Sequence, residues 1–477
     1  MILALFALPP LSPAARRPFP DTREEIRVFY DQLPSWLTDE QWRFAATHYA
    51  GCQKALLSEA RTLRSHNRDF LVLHYQLGLG QGPFHFIDGD DWVQDWDDGL
   101  ADFRSYAGAG PVSGQDDWFV LWGGERVHQS GWGWYVMDIT CNGSAPSTGY
   151  PEYWVASCLT KMRRTECDGV FADSFTIDGY FGQVASAHPW FNDVDACLAG
   201  WIPHLESYAS CIRSAFAAQT ENFYFLPNLG GLVTGWDATD YAALGDGGMN
   251  EGFGEWGPGD YYDPSDWVLQ MDRLLALARA GKILLLECDP PVADYRERMF
   301  LVGCCLLIKG NQTYVTLSGA EVDCEWFPEY EIDLGGYLGE IPAAVAGLYD
   351  SSWNVYRRDY EEGLVLVNPA EATRQISDLG GSFRLVSASG GGAVPENGLP
   401  SGSLSFASVD SLTLPPHAAA ILLRPIDADL NDDGVVDSRD YGILMSAFGT
   451  GSGPADLNGD GEVDGEDGEL MAGRWSE

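Results

Sequence analysis

Asp173 closes the run Asp168-Gly169-Val170-Phe171-Ala172-Asp173-Ser174, and Glu251 sits within Gly247-Gly248-Met249-Asn250-Glu251-Gly252-Phe253. An apolar strand that ends in an acid presents its carboxylate at the rim of a sheet. The small residues around Glu251 leave room for a ligand. Two carboxyl groups flanking one bond are what glycoside hydrolysis requires, one as acid and the other as nucleophile or as base for water. Asp173 is expected as the nucleophile or base and Glu251 as the general acid, with the roles exchangeable at this level. The plainer readings are a helix N-cap for Asp173, since Asp-Ser is good capping material, and a structural hydrogen bond for Glu251.

Further polar residues gather where apolar runs end: His74 and Tyr75, Asp138, and Glu287 and Asp289 ahead of Pro290-Pro291. These are candidate substrate-binding residues. The competing readings are a satisfied rim histidine for His74, a turn for Asp138, and shaping of the proline turn for Glu287 and Asp289. Glu125 and Asp178 are read as solvated surface. Sugar rings stack their apolar faces on aromatics, so Trp122, Trp236 and Trp256 are candidate subsites, against the usual burial of Trp in cores.

A different chemistry occupies the C-terminus. Asp429, Asn431, Asp433, Gly434, Val435, Asp437 and Asp440 are matched by Asp456, Asn458, Asp460, Gly461, Glu462, Asp464 and Asp467. Oxygen side chains fall at loop positions 1, 3, 5, 9 and 12, with Gly at 6 and a backbone carbonyl expected at 7, from Val435 and Glu462. That donor set suits Ca²⁺, which takes six to eight oxygens, so two Ca²⁺ are expected. Position 12 is Asp, where an ordinary EF-hand has Glu. An acidic solvated tail is the bland alternative, and it does not explain two copies of one spacing.

These residues need a frame. Residues 21–66 read as helical. Apolar β-type runs then recur at Phe70–Leu73, Trp118–Trp122, Trp134–Met137, Gly169–Ala172, Phe223–Leu226, Gly248–Met249, Ile283–Leu286 and Thr313–Leu317. Helical stretches separate them at Tyr153–Arg164, Asp195–Ala218, Trp267–Ala280 and Tyr295–Ile308. Alternation of short buried strands with helices predicts an α/β fold with a (β/α)8 TIM barrel over 21–332, in which strand C-termini open on one face. A doubly wound sheet lacks its G-x-G-x-x-G opening. From 333 to 425 short alternating runs separated by Gly, Pro, Ser and Asn predict a β-sandwich. Residues 426–477 form the paired-loop module.

Three stretches resemble the hypothetical glycosyl hydrolases, TIM-barrel proteins with Asp on strand four and Glu on strand six. They are G-V-F-A-D-S around Asp173, M-N-E-G-F around Glu251, and the β-domain run Tyr356 to Pro369, in that order over roughly residues 60–425. The resemblance implies a barrel hydrolase of a polysaccharide or glycan with no defined substrate. The paired loops, each followed by an apolar helical stretch, resemble a type I dockerin over about 427–477. That implies attachment to a cohesin-bearing scaffold. Positions 10 and 11 hold Ser438-Arg439 in one copy and Gly465-Glu466 in the other, so a symmetric dual-mode dock is not expected.

Composition bounds the alternatives. The 477 residues carry 28 basic and 70 acidic side chains, net −42, which excludes a nucleic-acid partner. A Lys-poor acidic surface also stays soluble in salt. No stretch reaches the apolar length of a membrane span. The segment 1–20 reads as a secretory signal without its basic start, which predicts a secreted protein. Ten cysteines show no zinc spacing; Cys288, Cys304 and Cys305 lie in apolar runs and read as buried thiols. No G-x-S-x-G elbow, H-E-x-x-H helix or P-loop occurs. The competing classes are a non-catalytic carbohydrate-binding protein on a degenerate barrel and a lyase, which would use a Tyr, His or Lys base.

Overall fold

The computed structural model describes residues 16–81, 119–127, 135–140, 150–175, 193–318, 323–425, 428–431, 434–451 and 453–475. Most of the expected signal segment and Asp433 lie outside the described residues. The protein is a mixed α/β structure. Eight parallel strands carry it: β1 Val28–Gln32, β2 Tyr49–Lys54, β3 Leu71–Leu77, β4 Gly169–Asp173, β5 Tyr224–Pro227, β6 Gly247–Glu251, β7 Ile283–Glu287 and β8 Thr313–Thr316. β1 to β5 form one sheet and β6 to β8 another. Parallel bridges Asn228–Met249 and Arg27–Tyr314 join the two sheets at both seams, so the strand order returns on itself as a ring.

Period-two alternation sorts the side chains. Phe29, Leu71, Leu73, Phe171, Leu226, Met249, Leu285 and Tyr314 point inward and form one closed apolar cluster with Phe19. Outward residues pack under the helices α1 Asp39–His48, α2 Leu57–His66, α3 Tyr150–Thr165, α4 Ile202–Ala217, α5 Pro264–Arg279 and α6 Tyr295–Ile308. Trp154, Trp201 and Trp267 are fully buried in that outer layer.

The start of the ring corrects the sequence reading. Residues 21–66 are not one helical region but two βα units. Val28-Phe29-Tyr30 is β-branched and aromatic and wholly buried. Tyr49–Lys54 has little strand propensity of its own and is a strand because β1 and β3 pair with it on both sides. Gly51 makes that pairing possible, since a Cβ there would lie 2.5 Å from the Leu71 carbonyl and 2.6 Å from the Phe29 ring. The runs at 118–122 and 134–137 are displaced from the ring. Their described parts form short hairpin pieces, Leu121–Trp122 with Glu125–Arg126 and Tyr135–Val136 with Gly80–Gln81, in the connection after β3. With β1 and β2 added and these two removed, Gly169–Asp173 is still fourth and Gly247–Glu251 still sixth.

The second domain is antiparallel. A six-stranded sheet includes β9 Val355–Tyr360, β10 Gly363–Asn368, β11 Phe383–Ser389, β12 Ser403–Val409 and β13 Ala418–Leu423, with Tyr349–Asp350 at its edge. One face covers the small sheet Arg374–Ile376/Leu412–Leu414 around Leu364, Leu366 and Leu422. The other face covers α6, which is buried all round from Glu297 to Ile308 because the ring lies on its far side. Gly303 sits at that contact, where a Cβ would stand 2.4 Å from the Ala419 Cβ. Cys288, Cys304 and Cys305 are buried free thiols as expected, and Cys211 is disulfide-bonded.

The C-terminal residues make two loop–helix units, with α7 Ser438–Ala447 and α8 Gly465–Ala472. They share a separate small core of Ala428, Val436, Leu444, Ala455, Val463 and Met471. No described helix is long and apolar enough to cross a membrane.

Candidate active site

At the C-terminal end of the ring the inward positions turn polar. The layer above the apolar cluster holds Asp31 from β1, Gln53 from β2, Tyr75 from β3, Asp173 from β4, Asn228 just past β5, Glu251 from β6 and Glu287 from β7. The same two-residue step that places Phe171, Met249 and Leu285 in the core places Asp173, Glu251 and Glu287 in this layer. Glu251 and Glu287 are register partners on adjacent strands.

Asn228 joins the two leading carboxyls. Its Nδ2 donates to Asp173 Oδ1 at 2.9 Å and to Glu251 Oε2 at 2.7 Å. Two oxygens bonded to one nitrogen at 2.9 and 2.7 Å lie less than about 6 Å apart. Asn228 is itself fixed, because its Oδ1 accepts from Gly230 N at 2.9 Å. The Asp173 Oδ2 accepts from the Tyr75 hydroxyl at 2.7 Å, and Oδ1 also takes the Ser174 amide at 2.6 Å. Ser174 adopts φ +55°, a strained conformation of the kind found at functional turns.

Electrostatics separate the acids. Burial first, and then the charge of Asp173, push the Glu251 carboxyl above its ordinary range, opposed by the Asn228 hydrogen bond and by Lys54. Glu287 is pushed well above it by burial and by the charges of Asp31 and Glu251. Its Oε2 is buried and has no hydrogen-bond partner among the described residues, which leaves it open to a donor or acceptor on a ligand. Among the described residues, Lys54 is the cation in this layer. Burial acts to lower its ammonium, but Asp31, Asp173 and Glu287 outweigh burial and raise it. It pairs with Asp31 at 2.8 Å and lies 5.1 Å above the Tyr75 ring.

The other expected residues are distributed unevenly. Tyr75 and Glu287 join the layer. His74 does not, and this corrects its assignment as a substrate contact. Alternation turns it outward under α3, where burial and the charges of Lys161 and Arg164 hold its imidazole well below the ordinary value. Asp138 accepts from Thr140 N at 2.9 Å, the turn role weighed against it. Asp289 is exposed beyond β7. Trp256 stands 60% exposed on the loop after β6, edge-on to Tyr262, whose hydroxyl donates to the Gly252 carbonyl. Trp122 is exposed on the hairpin after β3, and Trp236 packs half-buried against the main core. Sequence reasoning missed Asp31, Gln53, Lys54 and Asn228. For the first three the signal was hidden by the helical reading of 21–66; for Asn228 in Leu226-Pro227-Asn228-Leu229, only the position at a strand end pointed to it. Two clefts at the other end of the strands, beside Arg17 and Asp168 and beside Asn311 and Tyr337, hold none of these carboxyls.

The terminal loops are built alike. Gly434 N donates to Asp429 Oδ2 at 2.7 Å, and Gly461 N donates to Asp456 Oδ2 at 3.0 Å. Asp437 and Asp464 cap α7 and α8, while Asp440 and Asp467 reach back to those caps, so positions 9 and 12 also serve as capping boxes. Backbone amides hold the Asp467 carboxyl below its ordinary range. Among the described residues no three His, Cys, Asp or Glu side chains already converge on one point. The donors are nonetheless all oxygen, and Gly434 and Gly461, at φ +91° and +95°, make the turn such a loop needs. Their chemistry fits Ca²⁺.

The model of hypothetical glycosyl hydrolase family 15 matches residues 93–364, more than half of the chain. This match supports a glycan-cleaving function. Among solved structures, the glycoside hydrolase domain of PelA from Pseudomonas aeruginosa is similar at 14% identity and TM-score 0.36, over 63% of this chain and 100% of that one. Alpha-L-fucosidase isoenzyme 2 from Paenibacillus thiaminolyticus is similar at 11% identity and TM-score 0.36, over 65% of this chain and 48% of that one. An endoxylanase from Clostridium papyrosolvens is similar at 11% identity and TM-score 0.34, over 86% and 98%. All three likenesses are distant. No curated protein matches the sequence.

Proposed function

The chain belongs to hypothetical glycosyl hydrolase family 15, and from that premise we propose that it hydrolyses a polysaccharide or glycan with Asp173 and Glu251 on a (β/α)8 TIM barrel. The observation that carries this reading is the Asn228 amide shared between the two carboxyls. It bounds their nearest oxygens to less than about 6 Å apart, which supports the about 5–5.5 Å arrangement of retaining glycosidases over the about 6.5–9.5 Å that leaves room for an inverting water.

In this reading Glu251 holds a proton near neutral pH and gives it to the leaving glycosidic oxygen. The Asp173 carboxylate attacks the anomeric carbon as that bond breaks, forming a glycosyl ester. Glu251, now ionised, takes a proton from water, whose oxygen displaces Asp173 and releases the sugar. The Tyr75 hydroxyl and the Asn228 amide orient Asp173. Glu287 receives a sugar hydroxyl at its open oxygen, and Trp256 and Trp122 offer exposed faces for stacking.

The terminal module is proposed as a dockerin-like unit of a secreted enzyme. Asp429, Asn431, Asp433, Val435, Asp437 and Asp440 would hold one Ca²⁺ and the matching residues Asp456 to Asp467 the second. The ions would cross-link the loops, and exposed Tyr441, Ile443, Met445, Phe448, Leu470 and Trp475 would face a cohesin-bearing partner.

The test is a polysaccharide panel assayed with the wild type, Asp173→Asn and Glu251→Gln, with NMR of the first product. Loss of at least about 100-fold in each variant and retention at the anomeric centre are expected. Full activity in both variants overturns the assignment.

A further inference from the structure

Lys54 closes β2 with its side chain largely buried. Its ammonium is held from one side by the Asp31 carboxylate, with Nζ donating to Oδ2 at 2.8 Å. Asp31 is itself pinned, since Gln53 Nε2 donates to its Oδ1 at 3.0 Å. On the other side the ammonium meets aromatic rings, the Tyr75 centroid at 5.1 Å and the Phe171 centroid at 6.0 Å. Those two rings are neighbours on β3 and β4, with centroids 6.0 Å apart. The Tyr75 hydroxyl in turn donates to Asp173 Oδ2 at 2.7 Å. One chain of contacts therefore runs from Gln53 through Asp31, Lys54 and Tyr75 to Asp173, crossing β1 to β4.

We propose that the Lys54 ammonium, seated on the Tyr75 ring, polarises that phenol so that its hydroxyl holds and stabilises the Asp173 carboxylate. Lys54 and Tyr75 are positioning residues, and Asp31 sets the ammonium in place. The proposal rests on Asp173 as the nucleophile of the proposed hydrolase, while the contacts that define it stand without that role.

The face of an aromatic ring is negative and attracts a cation. The cation draws ring density away from the phenol oxygen, which makes the hydroxyl a stronger donor, and donation to an ionised carboxylate is the stronger kind of hydrogen bond. Burial keeps water from screening the effect, since Asp31 and Phe171 are 2% and 1% exposed. The benefit falls where Asp173 carries charge. As the glycosyl ester is cleaved, the electron pair of its C–O bond returns to an Asp173 oxygen, and the Tyr75 hydroxyl donates to the carboxylate as it re-forms. Lys54 also serves Asp31, whose ion pair it is among the described residues. The two roles differ in consequence. Neutralising Asp31 needs only a charge beside Asp31, whereas acting on Asp173 needs Tyr75 in between.

The experiment is a double-mutant cycle on Lys54→Met and Tyr75→Phe in the full chain. It is read by turnover of a glycan that the wild type cleaves and by NMR of tyrosine labelled with ¹³C at Cζ. The Tyr75 line is identified by its loss in Tyr75→Phe. Lys54→Met should lower kcat by about 5- to 20-fold, the scale of a desolvated cation–ring contact, and Lys54→Arg should restore most of that loss. Added to Tyr75→Phe, Lys54→Met should cost no more than about a further twofold, because the ammonium acts through the hydroxyl. Lys54→Met should also shift the Tyr75 line, and Lys54→Arg should return it towards its wild-type position. Should Lys54→Met fold poorly because Asp31 is left buried and unpaired, Asp31→Asn/Lys54→Met removes both charges and carries the same expectations. Losses that multiply in the double variant, or a Tyr75 line unmoved by loss of the ammonium, overturn the proposal. The NMR arm needs no substrate, so inactivity of the wild type on every glycan counts against the hydrolase reading alone.

Discussion

Asn228 has two amide hydrogens and directs one at each carboxyl, so its loss frees both acids. Asn228→Ala should lower kcat/KM by about 10- to 100-fold, matching the about 1.5–3 kcal/mol of hydrogen bonds to charged groups. Steady-state kinetics with an unaltered circular dichroism spectrum would check it. The alkaline limb of kcat/KM should report the Glu251 proton. Asp31 raises that proton's affinity, and removing its charge leaves the Lys54 ammonium uncompensated. Both effects act in one direction, so Asp31→Asn should move the alkaline limb to lower pH; a limb that stays or rises contradicts this assignment. At this scale the sequence showed the acids that end apolar runs, Asp173, Glu251 and Glu287. It did not show Asn228 or Lys54, whose roles come from neighbours on other strands, 55 and 23 residues away in the chain. It also placed His74 on the wrong face, because alternate residues of one strand face opposite sides of a sheet.

Strand β2 exists through its partners, and its glycine is the point of closest approach. Gly51→Val should destabilise the fold by about 1–3 kcal/mol or more through overpacking against Leu71 and Phe29, read by urea denaturation. Gly303→Ala presses α6 off Ala419 and should cost about 1–3 kcal/mol by the same measurement. A neutral result at Gly303 would mean that the β domain moves freely on α6. The spans of α3, α4 and α5 were legible because their apolar faces repeat at helical spacing over sixteen residues, and that of α6 because its apolar run is too long for a strand. The first two strands were not. Tyr49-Ala50-Gly51-Cys52-Gln53-Lys54 carries no local preference that distinguishes it from the helices on either side, and pairing overrode propensity. The run at Trp118–Trp122 had the right composition, but its described end pairs with Glu125–Arg126 rather than with the ring.

At the scale of the whole molecule, the terminal module has its own core and touches the β domain through the Arg384 guanidinium on the Gly434 carbonyl. The proposed Ca²⁺ loops and the carboxylate layer therefore share no residue. Removing residues 426–477 should leave kcat/KM within about twofold, while Ca²⁺ at a hundredfold excess over Kd should stabilise the module by about 2.7 kcal/mol per site. Calorimetry with and without a chelator reads the second effect; no Ca²⁺-dependent transition would rule out both loops as sites. The sequence by itself determined the motifs whose ligands are consecutive: the paired loops, their glycines and the acids that close strands, since a fixed spacing along the chain fixes their geometry. It also determined the order of strands four to eight. Only the tertiary structure decided which eight strands make the ring, that Asn228 holds Asp173 and Glu251 to one point, and that Lys54 and Glu287 share their field. Those relations arise across strands, where closure of the sheet, and not distance along the chain, sets what meets.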